Sequence, residues 1–143
     1  MKRFSVLLVV LGGALLGACE RPPLDATPEG AFDQFLEACE QTTRDPGAAA
    51  RACALLAPSS RRALELRAPR ATSLIGRSIG PEHIFVPGFT PLRFEISRTT
   101  TKLSPDGTHA TIEVTGPDPA TQHASVPMER EGLAWRVLVD IPN

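Results

Sequence analysis

The sequence predicts an α+β domain: helices first, packed on a curved antiparallel β-meander of four to five strands that follows them. Two observations carry this reading. From Thr27 onward apolar side chains recur every three to four positions, the period of one helix face. From His83 onward they recur every second position, the period of a strand with one wet face, and Pro, Gly and Asp clusters separate the runs. The helices must cover the apolar face of the sheet, because the chain has nothing else to cover it with.

The elements follow in order. Lys2 and Arg3 form a short basic start, and residues 4–16 are an almost unbroken apolar run, the length of a signal core and too short to span a bilayer comfortably. Leu16-Gly17-Ala18-Cys19 comes directly after it. This resembles the lipobox of bacterial lipoproteins, in which Leu and two small residues precede the cysteine that becomes the new N-terminus. Residues 1–18 are therefore expected to be a lipoprotein signal peptide and Cys19 the lipidated residue. The resemblance implies two or three acyl chains, enough for stable anchoring in a membrane. Glu20 stands where enteric bacteria place an Asp to retain such proteins in the inner membrane, which points to the outer membrane, facing the periplasm. Residues 19–26, with Pro22 and Pro23, read as a short, partly extended tether.

Residues 27–143 form the single domain. Thr27-Pro28-Glu29 is a helix start, with a Thr cap, Pro at the first helical position and an acid in the first turn. Phe32, Phe35, Leu36 and Cys39 mark the apolar face of that helix, and Asp45-Pro46-Gly47 breaks it. An Ala-rich second helix covers residues 48–56. A third is expected over residues 61–67, with a further turn or two over residues 71–78. A short strand is expected near residues 84–86. Leu92, Phe94 and Ile96 predict a strand, and Ser104-Pro105-Asp106-Gly107 predicts a turn. Ala110, Ile112 and Val114 predict the next strand, and residues 116–119 a second turn. Ala124, Val126 and Met128 predict another strand, placed at an edge or bulged because Pro127 lacks an amide hydrogen. Glu131-Gly132 predicts a tight turn, and Trp135, Val137 and Val139 alternate to the end.

Composition excludes some functions. The 143 residues carry 15 basic and 16 acidic side chains, a formal charge of −1; loss of Lys2 and Arg3 with the signal takes this to −3. A mildly acidic domain lacks the footprint of a nucleic-acid binder, and membrane lipid is the one partner implied. Three cysteines are odd for an exported chain. If Cys19 carries lipid, Cys39 and Cys53 remain as a pair in an oxidising compartment, each on an apolar helical face, either bonded as a disulfide or buried as two thiols.

The run from Val126 to Val137 closes with Glu131-Gly132-Leu133-Ala134-Trp135-Arg136-Val137. This hairpin is similar to the closing hairpin of small bacterial lipoproteins with a nuclear-transport-factor-2-like, cystatin-like fold. The resemblance implies a sheet wrapped around helices as a cone, and is nearly silent on function. The chain has no tyrosine, so it lacks the phenolic donor that the ketosteroid-isomerase branch of that fold uses.

Candidate chemistry is thin. Gly76-Arg77-Ser78-Ile79-Gly80 matches the nucleophile pattern of serine hydrolases, but that pattern needs a strand before the Ser and a helix after it. His83, His109 and His123 match no compact zinc spacing, so no cofactor or metal is expected. Asp33 and Glu37, one helical turn apart, suit a solvated helix start. Arg61, Arg62, Arg67, Arg70 and Arg77 give one region a basic character. Phe35, Phe94 and Trp135 are the candidates for lining a pocket at the mouth of the cone. The expectation is a non-catalytic binding or interaction domain; the alternatives are a binder of a small apolar ligand or lipid in the cone, and an enzyme of the nuclear-transport-factor-2-like class.

Overall fold

The structure, a computed structural model, describes residues 21–85 and 92–141. The signal, the lipobox and Cys19 lie outside the described residues. The fold is α+β. A 3-10 turn, Leu24–Ala26, leads into four helices, α1 Pro28–Gln41, α2 Ala48–Ala54, α3 Pro58–Ile75 and α4 Pro81–Ile84, and then four strands, β1 Arg98–Leu103, β2 His109–Thr115, β3 His123–Glu131 and β4 Ala134–Val137. The strands form one open antiparallel sheet in the order β1-β2-β3-β4, a meander.

Helix α1 begins as its sequence dictates. The Thr27 hydroxyl accepts from the Gly30 amide at 3.1 Å and Pro28 opens the first turn. Ala31, Phe32, Phe35, Ala38 and Cys39 are buried against the sheet. The sheet answers with Ala110, Ile112 and Val114 of β2, Val126 and Met128 of β3, and Trp135 and Val137 of β4. Register puts Thr99, Thr101 and Leu103 of β1 on that same face, opposite Val114, Ile112 and Ala110, yet Thr99 and Leu103 are exposed. The helical layer therefore covers β2 to β4 and leaves β1 as a polar, solvated edge, which suits an unpaired strand.

Several expectations need correction. The tether is shorter than residues 19–26, because Leu24–Ala26 folds back onto α1 and β4. The third helix, expected over residues 61–67 with a further turn or two over 71–78, is continuous from Pro58 to Ile75 and runs through Pro69. Residues 84–86 do not start a strand: Ile84 ends α4, and Val86 lies outside the described residues. Residues 92–97 keep the alternation, with Leu92, Phe94 and Ile96 half-buried between exposed neighbours, but the ladder begins only at Arg98. The alternation there records a half-buried extended segment, which periodicity does not distinguish from a paired strand.

Pro127 lies inside β3, between β2 and β4, and not on an edge strand. Its carbonyl accepts from the Leu138 amide at 2.9 Å, so its nitrogen points to the same side. The β3–β4 ladder starts one residue later, at Met128 paired with Val137. The missing N–H removes only the return bond to Leu138, where the β3–β4 ladder ends, and nothing from the β2 side.

The far edge of β4 is closed by the α2–α3 corner. The Val137 amide donates to Leu55 O at 2.9 Å and the Ala57 amide to Val137 O at 2.8 Å, a one-residue parallel bridge at Leu56. Ser60, in the first turn of α3, then accepts from the Val139 amide at 2.9 Å and donates to the Val139 carbonyl at 2.7 Å. The helices are stitched to the C-terminal strand by backbone as well as by apolar packing.

Candidate functional site

Two of the cavities beside α1 bear on the residues expected to line a pocket. One, of about 490 Å³, lies between the C-terminal half of α1 and residues 92–96, with Leu36, Cys39, Glu40, Leu92, Phe94 and Ile96 in its wall. The other, of about 300 Å³, lies between the N-terminal half of α1 and the ends of β3 and β4, with Phe32, Phe35, Val126, Val137 and Val139 in its wall. Leu36 is common to both. Phe35 and Phe94 are thus placed in two different cavities, and Trp135 is in the wall of neither. Phe35 is core: it meets Phe85 edge to face with ring centroids 5.9 Å apart. Trp135 is buried in β4, paired across to Arg130.

The smaller cavity is mostly apolar, whereas the larger one mixes apolar side chains with Glu40, Thr42, Thr43 and Glu95. Among the described residues Ser60 is the one buried polar side chain, and both of its hydrogen-bonding roles are used on Val139. No buried side-chain nitrogen or oxygen among them lacks a partner. His83, His109 and His123 are all exposed. Their contacts are local: His83 Nδ1 accepts from the Gly80 amide at 3.0 Å, and His109 Nδ1 lies 2.8 Å from the Thr108 hydroxyl. No cluster of His, Cys, Asp and Glu among the described residues has the makings of a metal site.

The hydrolase-like pattern takes a different shape from the one that chemistry needs. Gly76 ends α3 in the left-handed region (φ +76°), and Ser78 follows in an exposed loop with no strand before it. Asp106 is committed to its own turn, accepting from the Thr108 amide at 3.0 Å and from the hydroxyls of Ser104 and Thr108. These donors hold its carboxyl well below the usual carboxylate range, Ser104 contributing most. Asp33 and Glu37 are exposed on α1, Glu37 accepting from Gln41 Nε2 at 3.0 Å.

Cys39 on α1 and Cys53 on α2 both lie on apolar helical faces turned to the core. Both are thiols here, Cys39 buried in the core and Cys53 half-buried against it. Burial, then the neighbouring Cys53 and Glu40, pushes the Cys39 thiol up to about 12. Burial, then Glu82, pushes the Cys53 thiol up to about 11.

A charge network not foreseen from sequence surrounds the point where the chain enters the domain. Arg136 Nη1 contacts Asp25 Oδ2 at 2.7 Å, and Arg136 Nε contacts Glu131 Oε2 at 3.1 Å. Glu131 Oε1 is in turn 2.6 Å from Arg61 Nη2. Arg136 is the most buried member, with 17% of its side chain exposed. Four residues from the 3-10 turn, α3, β3 and β4 are linked, and nothing in their sequence spacing announces it. Arg61 is thereby taken out of the basic region, while Arg62, Arg70 and Arg77 remain exposed. Comparison with protein families, with curated proteins and with solved structures returns no match for this chain.

Proposed function

We propose that the mature chain is a lipid-anchored domain of the bacterial cell envelope, held through acylated Cys19 and facing the periplasm, which acts by binding at its surface and not by catalysis. The anchoring part rests on Leu16-Gly17-Ala18-Cys19 standing directly after a basic start and an apolar core. The binding part rests on one observation: the described interior holds hydrocarbon and a single, structurally committed serine. A general acid or base in a closed site is typically a buried carboxylate or imidazole with a shifted pKa. The strongly shifted carboxylate, Asp106, sits in an exposed turn. The helices-then-meander order fits a lipoprotein of the nuclear-transport-factor-2-like kind, and membership of that family is part of the proposal. So is a Cys39–Cys53 disulfide, supported by two cysteines that are electrostatic neighbours at the core.

The experiment is intact mass measurement of the protein from its own host, with and without reduction. The expected result is a chain beginning at Cys19, heavier by two or three acyl groups, with two hydrogens fewer before reduction than after. A chain that retains its first 18 residues or lacks acyl mass overturns the anchoring; unchanged thiols overturn the disulfide. A second reading is favoured by the 490 Å³ cavity, whose apolar side chains suit a small apolar ligand. Native mass spectrometry separates the two, because a stoichiometric bound small molecule supports the second and displaces the first.

A further inference from the structure

Helix α3 is well covered only along its first half. Ser60, Leu64 and Ala68 are its buried residues, and α4 packs against its inner face further on, where Thr72 Oγ1 accepts from the Ile79 amide at 2.9 Å. Its outer face carries Arg62, Leu66, Arg70 and Leu74, spaced four apart, so that they form one slowly winding stripe on the helix. Leu66 is 73% exposed and Leu74 80%, with Ile75 exposed beside them. Isolated exposed leucines are ordinary. A stripe that alternates exposed leucine with exposed arginine, in a chain whose overall charge is slightly negative, is not. Between Pro58 and Arg77 there are five arginines and one acid, Glu65; Arg61 is paired with Glu131, and the others have no ion pair among the described residues.

The charge network fixes where this stripe sits relative to the anchor. Asp25, Glu131 and Arg61 are joined through Arg136. Leu24 precedes Asp25, Leu133 follows Glu131 by two residues, and Arg62 follows Arg61. Leu133, 82% exposed, therefore stands beside the start of the stripe, while Leu24 lies over the groove between α1 and α2. Asp25 stands six positions after Cys19, a reach of about 20 Å at most. A domain on so short a lead stays within about its own radius of the bilayer.

We infer that the outer face of α3, together with Leu133, is a contact surface for a bilayer rich in anionic phospholipid. Guanidinium groups pair with phosphate by two parallel hydrogen bonds, and leucines set between them enter the boundary of headgroup and acyl chain. The proximity part of this inference rests on the anchoring proposed above. The choice of lipid rests on the charge and exposure of α3.

The test places a reporter on the stripe. In the full chain, Leu74→Trp adds one tryptophan to the buried Trp135, whose emission in the parent chain supplies the baseline. The acylated protein is reconstituted on vesicles of phosphatidylcholine alone, and of phosphatidylcholine with phosphatidylglycerol, each with brominated acyl chains as quencher. The expected result is a blue shift and quenching of the new tryptophan on the anionic vesicles and neither on the neutral ones. Adding Arg62→Gln and Arg70→Gln lowers the ratio of buried to exposed reporter roughly thirtyfold, given the usual contribution of a cation near an anionic surface. A reporter that stays wet on anionic vesicles, while mass spectrometry shows acyl groups on Cys19, overturns the surface and leaves the anchor standing. Quenching on anionic vesicles in a chain without acyl mass supports the surface and overturns the anchor. A blue shift that follows protein concentration in the absence of vesicles marks a protein interface and overturns the lipid assignment.

Discussion

Gly30 sits in the first turn of α1, where a glycine ordinarily weakens a helix. Here it is required by a close approach: a Cβ at this position would lie 1.9 Å from the Leu24 carbonyl oxygen. Backbone atoms cannot give way as a flexible side chain does. Gly30→Ala is therefore expected to lift Leu24–Ala26 off α1 while leaving α1 helical, seen as faster amide exchange at Ala26 with unchanged far-ultraviolet dichroism. Ser60 is the second residue whose role is set by what it touches. Ser60→Ala removes both its bonds to Val139 and leaves that residue's amide and carbonyl without their partner, so a loss of about 1–3 kcal/mol in urea unfolding is expected. A loss under a few tenths would mean that water replaces the hydroxyl.

Among the elements, α3 departs furthest from expectation. Proline inside a helix removes the bond from its nitrogen to the carbonyl four residues back and crowds that carbonyl. Pro69 lies in the gap between the two helical stretches expected over residues 61–67 and 71–78. The helix continues because Leu64 and Ala68 are buried on its inner face and α4 packs beyond, so tertiary contact outweighs one lost bond. Since Pro69 is exposed, Pro69→Ala is expected to stabilise the fold by about 1–3 kcal/mol without moving the helix ends, measured by chemical unfolding. The reverse lesson comes from residues 92–97. Their alternating pattern is that of a strand, and burial alternates accordingly, but among the described residues only the Ser97 amide, bonded to Thr115 O at 2.8 Å, reaches a neighbouring strand, and the ladder begins at Arg98. Pattern reports which side chains face the core; pairing depends on what lies alongside.

At the scale of the whole molecule, the two thiols couple redox state to pH. Each has a folded pKa raised above its ordinary 9.0, so it holds its proton in the fold and releases it more readily when unfolded. The stability they contribute is present below pH 9 and is lost as pH rises through about 11 for Cys53 and about 12 for Cys39. The chain has no tyrosine, and Lys2 and Lys102 are its only lysines, so few other groups titrate in this window. Thermal unfolding of the reduced protein is expected to move to lower temperature between about pH 8 and pH 10.5. The oxidised protein, if the proposed disulfide forms, lacks this component, because neither sulfur can ionise. Equal pH profiles for the two forms would sink the assignment.

The α+β class, the start of α1, the turn at Asp106-Gly107 and the inward residues of β2 and β3 were all legible in the sequence. They rest on local chemistry: caps, turn residues and the two hydrophobic periods act within a few positions along the chain. The placing of Cys39 and Cys53 on apolar helical faces was legible for the same reason, since both sit at or against the core. Only the tertiary structure decided the Asp25–Arg136–Glu131–Arg61 network, the Ser60 clasp on Val139, the division of Phe35 and Phe94 between two cavities, and the exposed stripe on α3 beside the chain's point of entry. Asp25 and Arg136 are 111 positions apart, and Ser60 and Val139 are 79. Contacts at that separation leave no periodic trace, because they arise where surfaces of already formed elements meet. The sequence carries the pattern on which the proposed lipid anchor rests; only the folded chain sets which face of α3 is left uncovered.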